Sequence, residues 1–179
     1  MLLFYATRDG QSRQIALKVA AVLGERGIES NPHDLAETFP TMDDLARTPL
    51  VTLIASVRYG NHLKEAEQLL SLYDSMASPP PLALASVNLT ARKPGKDTAQ
   101  GNAYLRKWIA RHHHKPTLAT AIAGRLDYPR YGWFDRQMIR LIMKMTGGPT
   151  DPQARVEYTS WDAVDRFAQE IADLHGTLR

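Results

Sequence analysis

Leu2-Leu3-Phe4-Tyr5-Ala6 runs straight into Thr7-Arg8-Asp9-Gly10-Gln11-Ser12, and this junction decides the fold. The first stretch is a short apolar strand. The second is a polar turn bearing a glycine and the hydroxyls of Thr7 and Ser12. A helix follows from Gln11 to about Arg26, with Ile15, Val19, Val22 and Leu23 at helical spacing. A strand that breaks through such a turn into a helix aims backbone N–H groups and the positive end of the helix dipole at one spot, which suits an anion. Gly10 lets the backbone come close, and the Thr7 and Ser12 hydroxyls can donate to phosphate oxygens. The turn lacks the three glycines of a dinucleotide fingerprint and the Gly-Lys-Ser/Thr ending of a P-loop. A single phosphomonoester fits it. An ordinary strand–helix turn with a polar cap fits it too, and on the turn alone both readings stand.

The alternation continues outward. Ile28 to about Asp34 is a weak second strand broken by Pro32, with a short helix around Met42–Arg47. Leu50–Ala55 is a nearly continuous apolar run, as in a strand covered on both faces. The loop Ser56–Asn61 precedes a helix over about Leu63–Met76, which Pro79-Pro80-Pro81 stops. Leu82–Val87 is a fourth strand, a helix ends at about His114, Thr117–Ala123 is a fifth strand, and a last helix spans about Trp161–Leu174. Strands alternating with helices specify an α/β fold: a five-stranded parallel sheet, order 2-1-3-4-5, with helices on both faces. The chain, 1–179, reads as one domain with no repeat or linker. Ligands of such sheets bind beyond the carboxyl ends of the strands, where strand order reverses. The turn Thr7–Ser12 and the loop Ser56–Asn61 both end there.

Composition narrows the chemistry. The 179 residues are 44% hydrophobic and 23% charged, as in a folded globular domain. The net charge of +3 favours anionic ligands or acidic headgroups and is too small for a nucleic-acid binder. With no cysteine, disulfides, thiolate metal sites and a cysteine nucleophile are excluded. No leader and no membrane-spanning stretch is visible, so the expectation is a cytoplasmic protein. His112-His113-His114 points in divergent directions on a helix, so no metal site is expected and the three read as a solvated helix end.

Two further loops reach the crevice. In Ser56-Val57-Arg58-Tyr59-Gly60-Asn61, Tyr59 can stack on a flat heteroaromatic ring and Gly60 can permit a strained peptide. A surface tyrosine in a turn is the other reading. Ser86-Val87-Asn88-Leu89-Thr90-Ala91 ends the fourth strand and leads into the basic Arg92-Lys93-Pro94. Between the fifth strand and the last helix lies an oversized segment, 124–149. It carries Tyr128-Pro129-Arg130-Tyr131-Gly132-Trp133-Phe134 and then a helix to Met145. Phe134, Met138, Leu141, Ile142 and Met145 form one stripe; Arg136, Arg140 and Lys144 form another. A basic amphipathic helix fronted by aromatics suits a membrane surface or an apolar ligand. Such a stripe also suits packing on the domain's own core.

Together these stretches resemble the menaquinone-dependent protoporphyrinogen IX dehydrogenases of bacteria, a flavodoxin-like family. The matching segments are Thr-Arg-Asp-Gly-Gln-Ser at 7–12, Ala-Ser-Val-Arg-Tyr-Gly at 55–60, Ser-Val-Asn-Leu-Thr-Ala-Arg-Lys-Pro at 86–94, Tyr-Pro-Arg-Tyr at 128–131 and Ile-Arg-Leu-Ile-Met-Lys-Met-Thr-Gly-Gly at 139–148. The last three separate the chain from ordinary flavodoxins, and Asp9 departs from the threonine common there. A carboxylate beside a phosphate is unfavourable, so Asp9 is expected to offer backbone only.

The resemblance implies FMN as cofactor, protoporphyrinogen IX as electron donor and a quinone, menaquinone or ubiquinone, as acceptor. It implies removal of six hydrogens in three two-electron oxidations, at the inner face of the cell membrane. By motif, Thr7, Arg8, Asp9, Gly10, Gln11 and Ser12 would hold the phosphate. Ser56, Arg58, Tyr59 and Gly60 would flank the flavin ring on one side, and Ser86, Val87, Asn88, Leu89, Thr90 and Ala91 on the other. Arg92, Arg125 and Arg130 are the expected contacts to the porphyrinogen propionates. A flavodoxin-type electron carrier and an NAD(P)H:quinone reductase remain the alternatives.

Overall fold

The computed structural model describes residues 1–178. The first strand, β1 (Leu2–Ala6), leads into α1 (Gln11–Glu25), and then come β2 (Pro32–Asp34), α2 (Met42–Ala46), β3 (Val51–Arg58) and β4 (Asn61–His62). After these follow α3 (Lys64–Asp74), β5 (Leu82–Val87), α4 (Ala103–Arg111), β6 (Leu118–Ile122), β7 (Arg125–Asp127), α5 (Trp133–Thr146), β8 (Arg155–Glu157) and α6 (Trp161–Thr177).

The main sheet runs β2-β1-β3-β5-β6, all parallel, which is the expected order with the short strands set aside. The central strands β3 and β5 are apolar and buried on both faces because helices cover each side. One core packs β1 and β3 against α1 and α6 through Ile15, Val19, Phe167 and Ile171. The other packs the opposite face against α3 and α4 through Leu69, Tyr73, Leu105 and Trp108. Each such side chain contributes about 1.5–3 kcal/mol on burial.

The structure adds three short strands that the sequence reading did not contain. β4 folds back on β3 as a hairpin, with Arg58 opposite Asn61. β7 and β8 pair antiparallel at the two ends of the inserted segment. The second strand is confined to Pro32–Asp34 instead of starting at Ile28. The fourth helix, α4, starts at Ala103, because Asn102 caps it by accepting from the N–H groups of Tyr104 and Leu105.

The triple histidine also differs from expectation. His112 lies beyond the end of α4 and is buried. Its Nδ1 is 2.7 Å from Asp74 Oδ2 and its Nε2 is 3.3 Å from Glu67 Oε2. Burial works against ionisation of Asp74, but hydrogen bonds from His112 and from the N–H groups of His114 and His113 hold its carboxyl below the usual range. The run is therefore a bracket between α3 and α4, not a solvated end.

Candidate functional site

The turn Thr7–Ser12 takes its shape from Gly10, which stands at φ +89° and leaves α1 without a side-chain cap. The Gly10 N–H donates to Thr7 Oγ1 at 3.0 Å, which closes the turn and leaves the Thr7 hydroxyl hydrogen available. The first-turn N–H groups of α1 have no intrahelical partner. Ser12 is fully buried, and its Oγ lies 2.6 Å from Ser56 Oγ, joining the turn to the end of β3. Arg8 is exposed.

Gln11 departs from its expected role. Its side chain is buried and turns away from the turn, with Nε2 donating to Glu157 Oε1 and to Thr159 Oγ1, both at 2.9 Å. Its Oε1 is a buried acceptor without a donor among the described residues. Asp9 is engaged through its side chain as well as its backbone: Arg58 Nη1 donates to Asp9 Oδ2 at 3.2 Å. Arg58 Nη2 donates to Asp135 on the first turn of α5. This pairing offsets the carboxylate beside the anion site, the conflict that Asp9 raised in the sequence.

The loop after β3 is a two-residue hairpin turn. Tyr59 at φ +50° and Gly60 at φ +83° are both left-handed, as a type I′ turn requires. Glycine adopts this freely; a tyrosine does not. Tyr59 stays half exposed, with the Arg58 guanidinium 5.3 Å from its ring centroid.

The segment after β5 is held from beneath. Ser86 and Asn88 are buried, and Asn88 Nδ2 donates to Ser86 Oγ at 3.0 Å. Asn88 Oδ1 accepts from Ala91 N–H and from Asn102 Nδ2. His62 Nε2 lies 2.8 Å from Ser86 Oγ. The side chains of Ser86 and Asn88 are thus structural ties, while Leu89 and Thr90 are half-buried. Val87 and Ala91 are buried.

The inserted segment has its own small core, in which Leu126, Tyr128, Tyr131 and Met143 pack with Ile139 and with Leu89 of the neighbouring loop. Ile139 and Met143 of α5 face inward. Trp133, Phe134, Leu141, Ile142 and Met145 are exposed, so the apolar stripe is turned away from the core. The basic stripe is partly structural: Arg136 Nη2 donates to Tyr131 O and Arg140 Nε to Thr150 O. Among the expected propionate contacts, Arg92 Nη1 donates to Leu89 O at 2.7 Å and its guanidinium lies 5.5 Å from the Tyr158 ring centroid. Arg125 Nη2 is 3.6 Å from Asp127 Oδ2, and Arg130 is exposed. Two cavities of about 400 and 250 Å³ lie at the far end of the sheet, by the starts of β5 and β6, away from these loops.

A flavodoxin domain family model matches residues 2–153. Over 176 residues the chain is 43% identical to protoporphyrinogen IX dehydrogenase [quinone] of Escherichia coli strain K12, covering 97% of this chain and 94% of the relative. This chain belongs to that family. A relative of the same name from Leishmania major is 40% identical over 174 residues, covering 97% of this chain and 74% of the relative. Solved structures confirm the fold alone. Oxidised flavodoxin 1 of Bacillus cereus superposes with a TM-score of 0.54 at 11% identity, covering 98% of this chain and 96% of that one. Rubredoxin oxygen:oxidoreductase of Desulfovibrio gigas gives 0.61 at 10% identity over 99% of this chain, which spans only 36% of that longer one.

The site suits a flavin mononucleotide. Uncapped first-turn N–H groups and the Thr7 hydroxyl match a phosphate ester. The residues missed in the sequence are Asp135, Glu157 and Thr159. Asp135 reaches the turn through Arg58, 77 residues away, and Glu157 and Thr159 reach Gln11 from 146 and 148 residues away, which no local pattern announces.

Proposed function

We infer that this protein is an FMN-dependent protoporphyrinogen IX dehydrogenase serving haem synthesis, with a quinone as acceptor. One protoporphyrinogen IX and three quinones become protoporphyrin IX and three quinols, so hydrogens and electrons balance. The observation that carries the reading is sequence likeness that spans the insertion as well as the flavodoxin core. Bound at the turn, FMN supplies the two-electron redox chemistry.

The chain supplies binding and orientation. Thr7 and the N–H groups at the start of α1 hold the phosphate. Arg58 balances Asp9. The Tyr59-Gly60 turn and residues 86–91 frame the ring. Arg92, Arg125 and Arg130 meet the propionates, with Arg130 the most accessible. Menaquinone and ubiquinone are the candidate acceptors. The outward stripe of α5, beside Lys144, rests on a membrane surface where porphyrinogen and quinone partition. Among the described residues, no helix is long and apolar enough to cross a membrane.

The test is to load the purified protein with FMN and follow porphyrin fluorescence with porphyrinogen and a quinone. Turnover supports this reading. Reduction only by a reductase partner supports an electron carrier, and quinone-dependent NAD(P)H consumption a different reductase.

A further inference from the structure

The phosphate turn is fastened to the inserted segment at two places. At the front of α5, Arg58 bridges Asp9 of the turn and Asp135. At the far end, Gln11 binds Glu157 of β8 and Thr159 just beyond it. These contacts are sheltered on one side only, since Asp9 is 42% exposed and Glu157 lies at the surface. Arg58 and Asp135 side chains are 21% and 22% exposed, and Gln11 is 6% exposed. The Gln11 amide orientation follows from its partners. Thr159 Oγ1 donates to Ala123 O at 2.7 Å, so it accepts from Gln11, and Glu157 accepts as a carboxylate. The insertion also packs through its own small core on Leu89. Its helix leaves most of its apolar side chains in solvent.

We propose that Gln11 and Asp135 are positioning residues that seat β8 and α5 of the insertion on the phosphate turn, so that filling the turn fixes the pose of α5. This rests on the FMN reading above. A phosphate held by the first-turn N–H groups of α1 immobilises Asp9, Gly10 and Gln11. The side chains of Asp9 and Gln11 are the ones that reach the insertion. Riboflavin, which lacks the phosphate, leaves the turn unclamped. Cofactor loading and presentation of the apolar helix face are then one linked equilibrium, with a coupling that works in both directions.

Hydrogen exchange of residues 133–146 tests this on the full chain, stripped of flavin and reloaded with FMN or riboflavin. The expected result is exchange slowed about five- to tenfold by FMN, at the low end of ordinary coupling strengths, and not by riboflavin. In Gln11→Leu and Asp135→Asn, which keep every backbone N–H of the turn, FMN still binds by fluorescence quenching but slows α5 much less. Asp135→Glu restores the effect. Protein that binds FMN with α5 exchange unchanged, or slowed equally by riboflavin, overturns the coupling alone. Protein that binds no FMN overturns the cofactor reading beneath it.

Discussion

His62 lies flat against Trp108, with ring centroids 3.6 Å apart and planes 16° from parallel. The stack sits beneath the loops that frame the site, and His62 also reaches Ser86 Oγ. Burial, aided by the charges of Arg111 and His112, pushes the imidazole pKa down to about 3 from 6.5. The unfolded chain therefore takes up a proton near pH 6.5 that the folded chain refuses until about pH 3. The stability contributed by the neutral ring is complete above pH 6.5 and is lost as pH falls below it. The slope reaches about 1.4 kcal/mol per pH unit. Urea midpoints measured across this range should fall with acid, and His62→Phe, which keeps the stack, should flatten the fall.

Gly10→Ala should cost about 1–2 kcal/mol. A Cβ there meets nothing within 4 Å, so the cost comes from its left-handed backbone alone. Because the same peptide orients the anion-facing N–H groups, FMN affinity should drop in a fluorescence titration while riboflavin affinity changes less.

Asn102→Ala should lower stability by about 3 kcal/mol in urea unfolding. The fully buried side chain caps α4 and also donates to Asn88 Oδ1 and to Lys96 O. Its loss removes a cap and strands buried acceptors.

Replacing Arg92, Arg125 or Arg130 with alanine should raise the porphyrinogen KM, by about tenfold for a lost charged hydrogen bond, with flavin content intact. Arg130 should show the effect most cleanly, because Arg92 and Arg125 also hold Leu89 and Asp127. Unchanged steady-state kinetics in all three variants would remove propionate anchoring.

Polar replacement of Trp133, Phe134 and Met145 together should weaken binding to anionic liposomes about tenfold or more in flotation assays. Ile139 is a poor choice for this test, since it packs inward beside Met143. Undiminished flotation would dispose of the membrane contact.

The sheet was legible because β1, β3 and β5 are mostly apolar runs, and glycine and proline punctuate them. The hairpin strands β7 and β8 were not. Arg125-Leu126-Asp127 and Arg155-Val156-Glu157 each hold one apolar residue, too little for a period to register. The turn Thr7–Ser12 was legible as a backbone shape, but the destinations of its side chains were not. Asp9 and Gln11 find partners in β3, in β8 and in Thr159, two residues beyond it. His112 looked solvated only because Asp74, its partner, stands 38 residues earlier.

Where the insertion begins and ends, the chain nearly touches itself. Tyr158 N–H donates to Gly124 O at 3.3 Å, and Thr159 Oγ1 to Ala123 O at 2.7 Å. Residues 125–157 therefore hang from the sheet like a pendant on a closed clasp, and excising them requires only a short splice. Whatever hangs on that clasp must still answer Arg58 and Gln11, because the pendant itself brings Asp135 and Glu157 to them.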